Sequence, residues 1–430
     1  MRLYWIPVPM TCGMYHFGRD GNLGYSDMKI AFETLGCKLN QAETEKIARQ
    51  FREAGHQLVT LAEETDIFIL NTCTVTHTAD AKSRHLLSRV RRRNPGAFIV
   101  ATGCYAESNP TELTKYVDLL VNNVGKDTLL QKLEATGRLK QPIMGAVIPT
   151  TVLRRTRAFV KIQEGCTNYC AYCIVPYVRG RERSLDVDEI VKYVRQLESE
   201  GYQEVVLTGT RIGAYSDRGT DLKSLIEILL RETSIPRLRF SSLQPQEITP
   251  GLIELWHNQR LCPHFHLSLQ SGSDTVLKRM NRLYTCTDYE RTVNLIRNTL
   301  PEAAITTDII VGFPGETDNE FKESLEFCRR IEFARIHVFM YSPRKGTKAA
   351  TMLGQVNEKV KKARSQEMLA LSQQSTQNFK ELFSGEILDV LWEKQDEDGQ
   401  WSGVTGNYIR VFKKDSGNLE NKMGKVKLGK

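Results

Sequence analysis

Short apolar strands alternate with amphipathic helices along most of this chain, and that alternation constrains its fold more than any other feature. From Met28 to about residue 136 the strand candidates are Ile30 to Leu35, Gln57 to Leu61, Ile67 to Leu70, Phe98 to Ala101 and Val117 to Val121. A helix between successive strands brings the chain back in the same direction, so this series predicts a parallel sheet with helices on both faces. A second series places strands near Ala158 to Ile162, Glu204 to Leu207, Leu238 to Ser241, His264 to Leu269, Ala304 to Val311 and Ile336 to Tyr341. Helical segments separate them: between Asp188 and Glu198, apolar Ile190, Val191, Val194 and Leu197 recur at i, i+1, i+4 and i+7. Six strand-helix units predict a partial (β/α)6 barrel, whose chemistry sits where the strands end.

The chain has 430 residues, too many for one ordinary core, and composition shifts divide it. Residues 1–27 show scattered aromatics and no sustained period, and read as a non-native or disordered extension with the natural start at Met28. Residues 28–140 form the first α/β domain, and a polar linker ends in Gln141-Pro142. The barrel domain takes residues 152–382, closing with a basic, Gln-rich helix from Glu358 to Leu382. Residues 383–430, with strand-like Ile387 to Leu391 and Tyr408 to Phe412, look like a small β-barrel cut short. The expected class is therefore α/β with a small β tail.

Charge and cysteine content narrow the chemistry. With 59 Lys and Arg against 51 Asp and Glu the formal charge is +8, which favours an anionic partner without identifying it. No apolar run approaches the roughly 18 residues that span a bilayer, and the N-terminus lacks the pattern of a secretory signal. The expected compartment is the cytosol. Structural disulfides are disfavoured there, so ten cysteines call for metal or redox chemistry.

Six of the ten fall into two groups. Gly165-Cys166-Thr167-Asn168-Tyr169-Cys170-Ala171-Tyr172-Cys173 is a C-x3-C-x2-C loop directly after the first barrel strand. Three thiolates so close can hold a four-iron four-sulfur cluster and leave one iron open. The alternative is structural zinc, but such sites are closed by four ligands and no partnering Cys or His pair follows. The second group is Gly36-Cys37, Asn71-Thr72-Cys73 and Gly103-Cys104, each just past a strand of the first domain. Strand ends of a parallel sheet share one edge, so these three can converge on a second cluster; the alternative is three unrelated buried thiols. Cys12, Cys262, Cys286 and Cys328 show no such pattern and read as packing residues.

The loop, with Tyr172 before its third cysteine, resembles the radical SAM superfamily, in which S-adenosylmethionine (SAM) binds the open iron and is cleaved to a 5'-deoxyadenosyl radical. From Met28 to about residue 412 the chain resembles the methylthiotransferase family, which joins a three-cysteine domain, a radical SAM barrel and a C-terminal RNA-binding TRAM domain. Thr34-Leu35-Gly36-Cys37-Lys38-Leu39-Asn40-Gln41-Ala42-Glu43-Thr44-Glu45 is similar to the branch acting on tRNA that carries N6-threonylcarbamoyladenosine beside the anticodon. Related branches act on isopentenyladenosine in tRNA or on a ribosomal protein aspartate; a non-catalytic iron-sulfur protein is the remaining alternative.

The resemblance implies two 4Fe-4S clusters, held by Cys37, Cys73 and Cys104 and by Cys166, Cys170 and Cys173, with SAM as cosubstrate. It places SAM contacts at strand ends: Thr208, Gly209 and Thr210, then Ser242 after Ser241, Ser268 and Gln270, and Gly312. Each can equally be a turn former. The partners implied are a tRNA and a reductant such as flavodoxin or ferredoxin, with a monomer expected and no membrane. For RNA contact the candidates are Arg89, Arg91, Arg92 and Arg93, the helix residues Lys359, Lys361, Lys362 and Arg364, and Trp401, Tyr408, Arg410, Lys413 and Lys414. The Arg run reads equally well as a solvated helix face.

Overall fold

The computed structural model describes residues 28–139 and 156–429. The N-terminal strands are β1 (Lys29–Thr34), β2 (Gln57–Val59), β3 (Ile67–Thr72), β4 (Phe98–Gly103) and β5 (Leu119–Leu120). They form one parallel sheet in the order β2-β1-β3-β4-β5. β3 runs Ile-Phe-Ile-Leu-Asn-Thr and is buried throughout, as a central strand covered on both faces must be. Alternate side chains feed two cores: Ile67 and Ile69 join Ile47 and Phe51 of the helix α1 (Lys38–Glu53), while Phe68 and Leu70 meet Leu87 and Val90 on the other face.

Six parallel strands make the second unit: Arg157–Lys161, Glu204–Thr208, Arg237–Phe240, His264–Leu267, Ala304–Val311 and Arg335–Met340. The first three pair in sequence, and Ser242–Leu243, continuing the third, pairs with the fourth, which leads on to the fifth and sixth. Outward residues such as Val205, Leu207, Leu238 and Ile305 join the helices in one large core. The helices start where their sequences cap them: the Asp186 carboxylate accepts from Asp188 and Glu189, and Thr317 with Glu320 forms a capping box. Among the described residues no pairing joins the first strand to the sixth. α1 packs instead against the first two strands, with Ala42 on Phe159 and Val206, whose neighbours Val160, Val205 and Leu207 face the helices. The partial barrel expected from six units is thus covered along its first two strands by the neighbouring domain.

The C-terminal segment is a four-stranded antiparallel sheet of Ile387–Gln395, Gln400–Thr405, Arg410–Lys414 and Met423–Lys427. Gln400–Thr405 and Met423–Lys427 were not legible in the sequence. The former carries Ser402 and Gly403 where alternation would show, and the latter is a lysine-rich strand paired along one side only. This sheet closes the barrel's lower mouth. Arg237 and Arg239 donate to Val404, Gly406 and Thr405 carbonyls, and the Tyr408 ring stacks on His264 at 4.5 Å. The expected extension 1–27, with Cys12, and the Gln141-Pro142 linker lie outside the described residues.

Candidate metal centres and the cleft between them

Register brings the first trio together. β1 pairs β3 through Thr34 and Asn71, and β3 pairs β4 through Thr72 and Gly103, so the turns bearing Cys37, Cys73 and Cys104 leave one sheet edge side by side. Two glycines make the approach possible. Gly36 has φ +106°, and a Cβ there would stand 2.6 Å from the Cys73 Cβ and 2.9 Å from its Sγ. Gly103 has φ +100° and abuts the Thr72 backbone, leaving no room for a side chain. Asn40 on α1 ties two turns by donating from one amide to the Leu35 and Thr72 carbonyls, both at 2.9 Å.

Cys37 is exposed, while Cys73 and Cys104 are buried. Burial pushes the Cys73 thiol up to about 12, against a hydrogen bond from the Val75 backbone, and the Cys104 and Cys37 thiolates push it further the same way. Thiols that oppose one another's ionisation in one place fit a site whose thiolates are stabilised by bound metal. Among the described residues no three His, Cys, Asp or Glu are gathered tightly enough for one metal ion. A four-iron cube takes its thiolates at separate corners, so its ligands stand wider apart.

The second trio sits where the first barrel strand ends. Its loop is pinned by Cys166 N to the Gly180 carbonyl, Ala171 N to Met280 and Cys173 N to Cys170. Burial, then the Cys170 thiolate, pushes Cys173 up to about 12. Arg282, unnoticed in the sequence, donates to the Cys170 sulfur at 3.2 Å and is held by Tyr284, whose ring lies 4.8 Å from the guanidinium. Arg211 grips the loop from the other side, bonding Asn168, Glu182 and Glu247.

One cleft of about 210 Å³ is lined by Cys173 of the second trio and by the segment that follows Cys73 of the first. Val75 and Thr76, two and three residues after Cys73, form one wall; Tyr172 to Val175, including Cys173, form another. Gln270, Asp308 and Ile310 come from the barrel strands, and Phe339 to Ser342 from the end of the sixth. Arg344 fastens the domains beside it, donating to Thr74 and Asp80 at 2.6 Å.

The seven expected SAM contacts fall at the upper strand ends with unequal access. Gln270 reaches the cleft with φ +74° and takes part in backbone bonds to Asp308 and Ile310. Thr210 has a buried hydroxyl with no partner, as does Ser241 beside Ser242. Thr208 is buried in the strand, Gly209 packs on Gln163, and the Ser268 carbonyl accepts from Tyr284. Gly312, φ +72°, faces the Lys361 side chain, where a Cβ would collide.

The basic residues divide sharply. Lys361 and Arg364 are buried: Arg364 pairs with Glu316 at 2.6 Å and Asp318 at 2.7 Å, so these two anchor the helix and are not free for RNA. Trp401 and Tyr408 are likewise packed inside the tail and barrel mouth, and Arg91 pairs with Asp118. Arg89, Arg92, Arg93, Lys359, Lys362, Arg410, Lys413 and Lys414 are exposed, although Arg410 pairs with Glu393 and Lys413 with Asp415, and Phe412 joins them at 58% exposure, which no sequence pattern singles out. Cys262 and Cys328 are buried and Cys286 half-buried, as packing residues should be.

Comparison with known proteins places this architecture. Residues 160–328 match the radical SAM superfamily and residues 29–123 match "Uncharacterized protein family UPF0004". The chain is 39% identical to the threonylcarbamoyladenosine tRNA methylthiotransferase MtaB of Bacillus subtilis, covering 93% of each. It is 41% identical to the MtaB of Aquifex aeolicus, over 89% of this chain and 96% of that one. The tRNA-2-methylthio-N(6)-dimethylallyladenosine synthase of Thermodesulfovibrio yellowstonii is 34% identical over 87% and 90%. Among solved structures, the radical S-adenosylmethionine methyltransferase TsrM from Kitasatospora setae matches with a TM-score of 0.56 at 14% identity, covering 76% and 74%, which bears on fold alone. With both cysteine domains matched and close relatives spanning nearly its whole length, the chain belongs to the MtaB-type radical SAM methylthiotransferases.

Proposed function

We propose that this enzyme converts N6-threonylcarbamoyladenosine beside the tRNA anticodon to its 2-methylthio derivative, using two SAM molecules and two 4Fe-4S clusters. The observation that carries this reading is the single cleft walled by Cys173 on one side and by the turn after Cys73 on the other. An aromatic C–H at adenosine carbon 2 resists side-chain acids and bases, and bound clusters supply, at one site, the electron that cleaves SAM and, at the other, the sulfur to be transferred.

The chain's own residues orient and enclose. Tyr172 and Ile174 line the loop side of the cleft, Gln270 and Asp308 offer hydrogen-bonding groups at its floor, and Phe339 and Met340, both more than 40% exposed, offer apolar surface to an extruded base. The exposed strand residues Arg410, Phe412, Lys413 and Lys414 provide phosphate and stacking contacts to the tRNA. The reductant is a flavodoxin or ferredoxin and the setting the cytoplasm; no helix among the described residues is long and apolar enough to cross a membrane.

Val75, Ile310, Phe339 and Met340 make much of the cleft wall apolar, which also favours a second reading, isopentenyladenosine in tRNA. Nucleoside mass spectrometry of tRNA from a deletion strain separates the two. Loss of 2-methylthio-N6-threonylcarbamoyladenosine is expected; an unchanged level rejects that substrate. Cys73→Ala is expected to release 5'-deoxyadenosine from SAM yet make no methylthiolated nucleoside.

A further inference from the structure

Arg179 ends the short helix Val175–Arg179 that follows the barrel's cysteine loop, yet its guanidinium lies in the N-terminal domain. It donates to Glu43 Oε1 at 2.6 Å, to Glu43 Oε2 at 3.1 Å and to Asn40 Oδ1 at 2.6 Å. The same Asn40 oxygen is approached by the Cys37 thiol at 3.9 Å. The other end of that amide holds the carbonyls of Leu35 and Thr72, which precede Gly36 and Cys73. Cys104, meanwhile, packs on Ile174 and Val178 beside the same helix. One helical turn of the barrel therefore braces all three cysteine positions of the other domain.

The charges around it do not cancel. Glu43 is shared by Arg179, by Lys126 at 2.6 Å and by Lys161 at 3.8 Å, all of them largely buried. The next carboxylate, Glu164, stands 3.7 Å from Arg179 and already serves Lys161 and Arg183. A buried surplus of positive charge is costly unless an anion lies beside it.

We propose that Arg179 is the charge-compensating and positioning residue of the Cys37, Cys73 and Cys104 site, and that it sets the reduction potential of the cluster held there. This rests on the reading that those cysteines hold a cluster. Reduction adds one electron and one negative charge and breaks no bond, so a fixed cation nearby favours the reduced form and a fixed anion opposes it.

The test uses the full chain, reconstituted anaerobically with Cys166, Cys170 and Cys173 all changed to Ala, so that only the N-terminal site can report. Its potential is read by electron paramagnetic resonance during titration with dithionite. Arg179→Gln is expected to move the midpoint to more negative potential, Glu43→Gln to move it to more positive potential, and Arg179→Lys to stay near the parent. A purely mechanical brace would shift both neutral variants the same way, and that outcome overturns the proposal, as does an unchanged midpoint in both. If Arg179→Gln cannot hold iron, the sign of the Glu43→Gln shift decides. A parent that binds no iron in this background instead rejects the cluster reading itself.

Discussion

At Gly36, where φ is +106° and the Cys73 side chain fills the space a Cβ would need, backbone freedom and cysteine convergence are one requirement. Gly36→Ala must either force a strained left-handed alanine or push Cys73 aside, costing about 1–3 kcal/mol. The expected result is a chain that folds with a lowered melting temperature and binds roughly half the iron of the parent, measured by iron counting after anaerobic reconstitution. Retention of full iron content at both sites would show that the turn adapts. The cysteines were legible because their chemistry is written in residue type and strand position. Asn40 and Arg282 were not, because an amide or guanidinium says nothing of its partner until the fold supplies one.

Among the elements, the helix Glu358–Glu381 shows how a basic stretch can be read two ways. Its charges were expected to meet phosphate, yet two of them face inward. Lys361 lies on Gly312, and Arg364 neutralises Glu316, whose carboxylate also accepts from Gly312 N at 2.6 Å. Arg364→Ala leaves Glu316 buried beside the turn after Ala304–Val311 without its cation, so unfolding by denaturant is expected about 3–5 kcal/mol easier. Lys359→Ala, on the exposed face, is expected within about 0.5 kcal/mol of the parent. Strand and helix positions themselves followed from periodicity, as in Ala304–Val311, where sequence and structure give the same limits. The tail strand Gln400–Thr405 hid because both its faces are buried, which removes the alternation that marks a strand.

Over the whole molecule, three units meet around the barrel: the N-terminal sheet lends its cysteine edge, α1 packs on the first two barrel strands, and the tail stoppers the lower mouth with Tyr408. With that stopper packed inward, the RNA contact proposed above falls to the outer strand Arg410–Lys414. Replacing Lys413 and Lys414 with Ala is expected to weaken tRNA binding and to flatten its dependence on salt by about one unit for each phosphate no longer neutralised. SAM cleavage without tRNA should be unchanged. Filter binding across a salt series reads the first effect, and a slope equal to the parent's would move the RNA surface elsewhere.

Residue types and their spacing determined, without any fold, that this chain alternates strand with helix, that its cysteines form two trios at strand ends, and that its charge favours an anionic partner. Local pattern suffices for these because strand periodicity and thiol chemistry are properties of short segments. Only the tertiary structure decided which cations are spent on buried carboxylates, that α1 packs on the first two barrel strands, and that Arg179 crosses from one cysteine loop to the other trio. Those outcomes depend on which distant side chains come to share a desolvated space, where an unpaired charge is expensive, and no local sequence pattern records that.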